Sequence, residues 1–346
     1  MKKVNLLLVC IVLCFSCSKQ GKEGVMDFDK VEYISSYDSI YADIDEPMGP
    51  VVELHVSGNM LVLNHANDDK QFSFIDIESG RLVCRWGTVG EGSNEFIDFS
   101  SNFSLKDSCL IFQTSATKEI NRVSLPDILN HRSILRIAKE AYPYSADFRP
   151  RRIYPFHDKK IALGSFKEGV FGLLEKDNTL ISCEGDFPFS CDKVDGIYRG
   201  NLYQSRLLLN EDKNRFALFY MVSDAFEIYE LDGRGMRKVY MSPFRSVPQL
   251  RERGERFSID YDNSVAGFMT VSASSKLIGC TYSAKSYQEA ASQDMVSDEI
   301  LCFDWEGKKV QKYVLPFAIS NFCMDAEYLY AVRYVDNQTV IYRFKL

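Results

Sequence analysis

The feature that most constrains this chain is a pair of alternating runs joined by a tight turn and repeated along its length. From Phe72 to Phe96 the sequence reads FSFIDIESGRLVCRWGTVGEGSNEF. Apolar and polar residues alternate, Glu78-Ser79-Gly80 supplies a turn, and a second alternating run leads into a glycine-punctuated loop ending at Glu95-Phe96. Period-two alternation on both sides of a short turn marks an antiparallel hairpin. Cruder copies recur down the chain, and a repeated hairpin buries its faces only by stacking on its neighbours.

Six units follow one template of strand, turn, strand, polar spacer and closing hairpin. They span Val51–Gly87, Phe99–Ala138, Arg152–Phe187, Gln204–Pro243, Ala266–Pro316 and a last unit from Ser320 onward. In the second, Pro126-Asp127-Ile128-Leu129 replaces the final turn and reads as a helical excursion. The fifth carries an insertion, Lys285–Asp298. The sixth stops after VIYRFKL, one strand short. Lys30–Ser36, KVEYISS, has nothing else to pair with, so it is expected to supply that strand. The expectation is an all-β, six-bladed β-propeller whose ring is closed by an N-terminal strand joining the C-terminal blade, which removes exposed sheet edges.

Composition agrees. With 24 Phe and 19 Tyr against 2 Trp, the chain favours sheet. A length of 346 residues is large for one core, but a ring of small sheets avoids that limit. The net charge of −7 argues against a nucleic-acid partner, which needs a basic surface.

The start of the chain is a separate region. Lys2 and Lys3 precede an apolar run from Val4 to Phe15, the length of a signal-peptide core and too short for a stable membrane-spanning helix. Ser16-Cys17 ends that run and resembles a bacterial lipobox, with Cys14 where leucine is usual. The domain reading is therefore 1–17 signal peptide and lipobox, 18–27 tether, and 28–346 a single propeller. Cys17 would be lipidated and hold the chain on the cell envelope, most simply the outer membrane, facing the periplasm or the exterior. The alternative is ordinary secretion with cleavage nearby.

The loop GTVGEGSNEF (87–96) after a blade, with the lipobox and the six units, resembles the six-bladed TolB-like propeller lipoproteins of Bacteroides-type bacteria. That family's blade exit commonly reads Gly-x-x-Gly-x-Gly-Pro-x-Glu-Phe. Gly87, Gly90, Gly92, Glu95 and Phe96 match, and Ser93 stands in place of proline. The stretch YQSRLLLNEDKNRFAL (203–218) also looks like the family's mid-chain blade. The resemblance implies a fold and a location and carries no catalytic residues. On physical grounds the glycines allow a tight crossover and Phe96 wedges between blades.

Ten cysteines do not make a disulfide framework. Cys10, Cys14 and Cys17 lie in the leader, and no Cys-x-x-Cys pair occurs among the rest. Most sit in apolar strand patterns as small hydrophobes; only Cys183 and Cys191, flanking GDFPF, are candidates for a bridge. His55, His65, His131 and His157 lack metal-ligand spacing, and Gly-x-Ser-x-Gly is absent. No catalytic residue, metal or cofactor is expected, and His65–Asp69 reads as a solvated loop between strands.

Cationic and aromatic residues make the best site candidates. Arg149, Arg151 and Arg152 cluster at the entry to unit three beside Tyr144, Arg199 and Tyr203 precede unit four, and Arg251, Arg253 and Arg256 lie before unit five. Inter-blade loops converge on one face of a propeller, so arginines there would form a positive surface on an acidic protein. The reading is a non-enzymatic binding or scaffold propeller for a protein partner or a small anionic or glycan ligand. The alternative is a lactonase- or lyase-like enzyme with a metal or a His/Glu/Arg constellation at the channel mouth.

Overall fold

The computed structural model describes residues 24–41, 48–66, 68–92, 95–100, 102–131, 135–189, 194, 196–232, 235–253, 256–293 and 295–346. Six sheets form the blades, each built on consecutive antiparallel strands, and two N-terminal strands join the fifth and the sixth. Their inner strands are Val51–Ser57, Phe103–Lys106, Phe148–Phe156, Ser205–Asn210, Val265–Ala273 and Asn321–Met324, which line a common axis. Among the described residues no helix is long and apolar enough to cross a membrane.

The core is six wedges rather than one centre. Each junction between neighbouring blades holds its own buried cluster. Between blades one and two it is built on Phe72, Phe74, Phe96, Phe103 and Phe112. Between blades four and five Phe219 stacks on Phe226 at 4.6 Å, with Phe268, Phe303 and Trp305 around them. Each buried large side chain contributes about 1.5–3 kcal/mol, and broad flat rings fill wedge-shaped gaps. That explains the heavy use of phenylalanine and tyrosine.

Ring closure uses an N-terminal strand, but not the one read from the sequence. Asp38–Tyr41 pairs antiparallel with Gln338–Lys345 as the outer strand of blade six. Within Lys30–Ser36, Val31–Tyr33 instead pairs parallel with Lys309–Ile319, adding a fifth strand to blade five. The physical reason is burial. Tyr41 is buried in the wedge between blades six and one, whereas Tyr33 is exposed. Packing also reaches further back than the 18–27 tether allows: Val25 is buried and Met26 packs beside it in the wedge between blades four and five. Residues 1–23, with Cys17, lie outside the described residues.

Local exceptions follow from local chemistry. The excursion in blade two is a helix, Leu125–Leu129, with Pro126 in its first turn and the Ser124 hydroxyl accepting from the Asp127 N–H at 3.3 Å. Part of the insertion in blade five forms a second helix, Tyr287–Ser292, capped by Ser286. Blade three starts at Phe148 rather than Arg152. Pro150 cannot donate to a ladder, and the strand absorbs it with a bulge between Pro150 and Arg152.

Candidate functional site

Strand alternation brings the start of every inner strand to the face that carries the inter-blade connections. On that face, between blades two and three, opens a cavity of ≈ 580 Å³. Arg149, Arg151, Arg152 and Lys118 line it with Tyr144 and Tyr198, and Ser100, Asn102, Ser165 and Asn201 add polar groups. Among the described residues, none of those lining it is Asp or Glu. Tyr198 is 68% exposed and Tyr144 50%, so both rings are open to a ligand, and Lys118 sits 4.4 Å over the Tyr144 ring.

The bulge in the inner strand of blade three builds this site. It spends the extra residue Arg151 without a ladder partner, so its side chain is released to donate to Asn201 Oδ1 at 2.7 Å. Gly164 lies opposite, and a Cβ there would meet the Arg149 carbonyl oxygen at 2.2 Å; only glycine lets the bulged backbone come so close. Below the bulge, Gln113 of blade two accepts from the Ile153 N–H at 2.7 Å, which satisfies a buried donor.

A second cavity, of ≈ 320 Å³, occupies the axis itself and touches all six inner strands. Its charged side chains are Glu53 and His55 from blade one, Arg152 from blade three and Arg206 from blade four, joined by Tyr154 of blade three and by Thr270, Ser272 and Asn321 of blades five and six. The Glu53 carboxylate faces His55 Nε2 at 3.2 Å and accepts from the Phe103 N–H at 3.3 Å. Burial pushes the Tyr154 hydroxyl up to about 12. Burial also lowers the Arg206 guanidinium, and the Arg152 charge lowers it further against the pull of Glu53. Arg152 lines both cavities.

The other sequence candidates are placed elsewhere. Arg199 lies over the Phe187 ring at 5.1 Å and donates from Nε to the Val194 carbonyl at 3.0 Å. Tyr203 is buried against Phe187 and Phe189, with its hydroxyl donating to the Phe189 carbonyl. Both are thus built into the wedge between blades three and four, although Tyr203 also borders a crevice of ≈ 100 Å³ with Arg151 and Arg152. Arg251 is paired with Asp260 at 2.6 Å and Asp262 at 2.7 Å. It sits on a two-stranded ribbon whose arms meet at Arg253 and Arg256.

The glycine loop is a structural crossover: Thr88-Val89 pairs with Glu95-Phe96, and Phe96 is buried 4.9 Å from Phe112. His65 is not solvated. It is buried, with Nε2 2.8 Å from Ser73 Oγ and Nδ1 3.0 Å from the Gly49 carbonyl, and burial lowers its pKa. Burial raises the Asp68 pKa, but hydrogen bonding at Asp69 and the Gly49 N–H, with the Arg85 charge, outweigh it and hold the carboxylate well below its usual range. Cys183 is a free thiol, raised to about 11 by burial; Cys191 lies outside the described residues. Among the described residues no group of three His, Cys, Asp or Glu is arranged to hold a metal ion.

Glu53, His55, Tyr154, Arg206 and Tyr198 were not among the sequence candidates. The strand runs VVELHV and SRLLLN do carry the one signal available, a charged residue in an otherwise apolar inner strand.

A family model described as TolB-like 6-blade propeller-like matches residues 30–327. A candidate exported protein of Bacteroides fragilis superposes with a TM-score of 0.59 at 11% identity, covering 92% of this chain and 98% of that one. A member of the DUF4221 family from Bacteroides vulgatus gives 0.56 at 7% identity, covering 90% and 97%. At such identities the likeness speaks for the fold alone. No curated protein matches the chain. With the family model spanning six of the six blades' inner strands and the ring itself on view, the chain belongs to the TolB-like six-bladed propeller family.

Proposed function

We propose that this chain is an exported envelope protein, anchored by lipid at Cys17, that binds an acidic glycan in the cavity between blades two and three. One observation carries the reading. In a protein of net charge −7, this cavity is lined by three arginines and a lysine with no acidic residue among the described residues, and flanked by two exposed tyrosine rings. Guanidinium forks suit the carboxylates of uronic acids, exposed rings suit sugar faces, and Asn102, Asn201 and Ser165 suit hydroxyl groups. The leader with Ser16-Cys17 and the likeness to a candidate exported protein support the location.

The test is calorimetric titration of an oligogalacturonate into the mature chain and into the Arg149→Ala/Arg151→Ala/Arg152→Ala variant. The reading expects saturable binding by the first and loss by the second with its fold intact. Equal binding by both would reject the cavity. Capture of a protein, with no glycan bound, would assign the face to a protein partner instead.

A further inference from the structure

We propose that the axial cavity is a second, separate binding site, which takes a small carboxylate with an apolar body. The carrying residue is Arg206. Its guanidinium lines the channel, yet its buried Nε has no hydrogen-bond partner. Glu53, the carboxylate lining the same cavity, is already engaged by His55 and by the Phe103 N–H. A buried donor of a charged group left without an acceptor is costly, so the position makes sense when an anion fills it. Arg152 brings a second guanidinium to the same wall, and the two cations disfavour each other, which a bound anion relieves.

The remaining wall sets the rest of the ligand. Beyond the charged group the partly exposed Val56, Leu208 and Val271 line the channel, with Thr270, Ser272 and Asn321 between them, which suits a short aliphatic body. A planar carboxylate matches the fork of an arginine in a bidentate manner. A doubly charged phosphate would carry no apolar part to cover this wall. The ≈ 320 Å³ available admits a small metabolite and not a polymer. Arg152 is shared with the glycan cavity, but Arg206 lines the axis only, so the two sites are separable.

The experiment follows the thermal midpoint of the mature chain with butyrate, butyramide or inorganic phosphate at matched ionic strength. Butyrate is expected to raise the midpoint saturably, butyramide and phosphate not. Arg206→Gln should weaken the butyrate response about tenfold or more. Arg206→Lys, which keeps the charge and loses the fork, should weaken it too, and serves alone if the glutamine variant does not fold. The Arg149→Ala/Arg151→Ala variant should respond like wild type whether or not it binds glycan. No saturable response to butyrate, a full response in the Arg206 variants, or loss of response in the Arg149/Arg151 variant would overturn the axial site. A phosphate response equal to that of butyrate would overturn its assignment to carboxylates.

Discussion

Asp38 and Arg343 meet across the join of the ring: the guanidinium donates to the carboxylate at 2.9 Å. The pair ties the N-terminal closing strand to the last strand of the chain, and both residues sit near solvent. The ion pair itself therefore contributes little, and the closure rests on what is buried behind it.

That burial makes the closing strand testable. Tyr41 is 3% exposed and Tyr33 76%. Tyr41→Ala should cost about 3–5 kcal/mol, the usual range for truncating a buried aromatic. Tyr33→Ala should stay within about 0.5 kcal/mol. Chemical denaturation of both variants checks the contrast, and equal losses would mean that Asp38–Tyr41 does not close the ring.

Gly164→Ala tests the bulge. With the Arg149 carbonyl oxygen at 2.2 Å from the added Cβ, the backbone must shift, at about 1–3 kcal/mol. Glycan binding should fall with stability, because the strand that moves is the one that presents Arg149 and Arg151. A variant as stable as wild type would show that the strands need not approach so closely.

Burial of His65 predicts an acid-side loss of stability. Its folded pKa lies below the ordinary 6.5, so the unfolded chain binds the proton more readily. The stabilisation is complete above about pH 6.5 and is lost as pH falls through the folded value. Thermal midpoints between pH 7.5 and 5 should therefore decline, and His65→Gln should flatten that slope. An unchanged slope in the variant would remove His65 as its source.

Cys17→Ala should release the chain from the membrane fraction and abolish incorporation of labelled fatty acid. Retention of the label would place the lipid elsewhere.

The blades were legible because alternation and turns are local, and the wedge role of Phe96 followed from the same pattern. The closing strand was not. KVEYISS looks more strand-like than DSIY, and only the ring shows that Tyr41 has a wedge to enter while Tyr33 does not. The arginine cluster was legible as charge near a loop, but Arg199 and Tyr203 belong to packing, since a sequence does not say which aromatic has neighbours on every side. Glu53, Tyr154 and Arg206 are brought together from three blades, a juxtaposition that exists only once the axis is formed.

The most direct measurement of the central claim compares the affinity of the mature chain for an oligogalacturonate with that for its carboxyl-reduced, neutral counterpart. The account predicts binding of the acid that is at least about tenfold tighter, weakens with added salt, and loses its preference in the Arg149→Ala/Arg151→Ala/Arg152→Ala variant. Equal affinity for the acidic and neutral chains, or no binding of either, would contradict it.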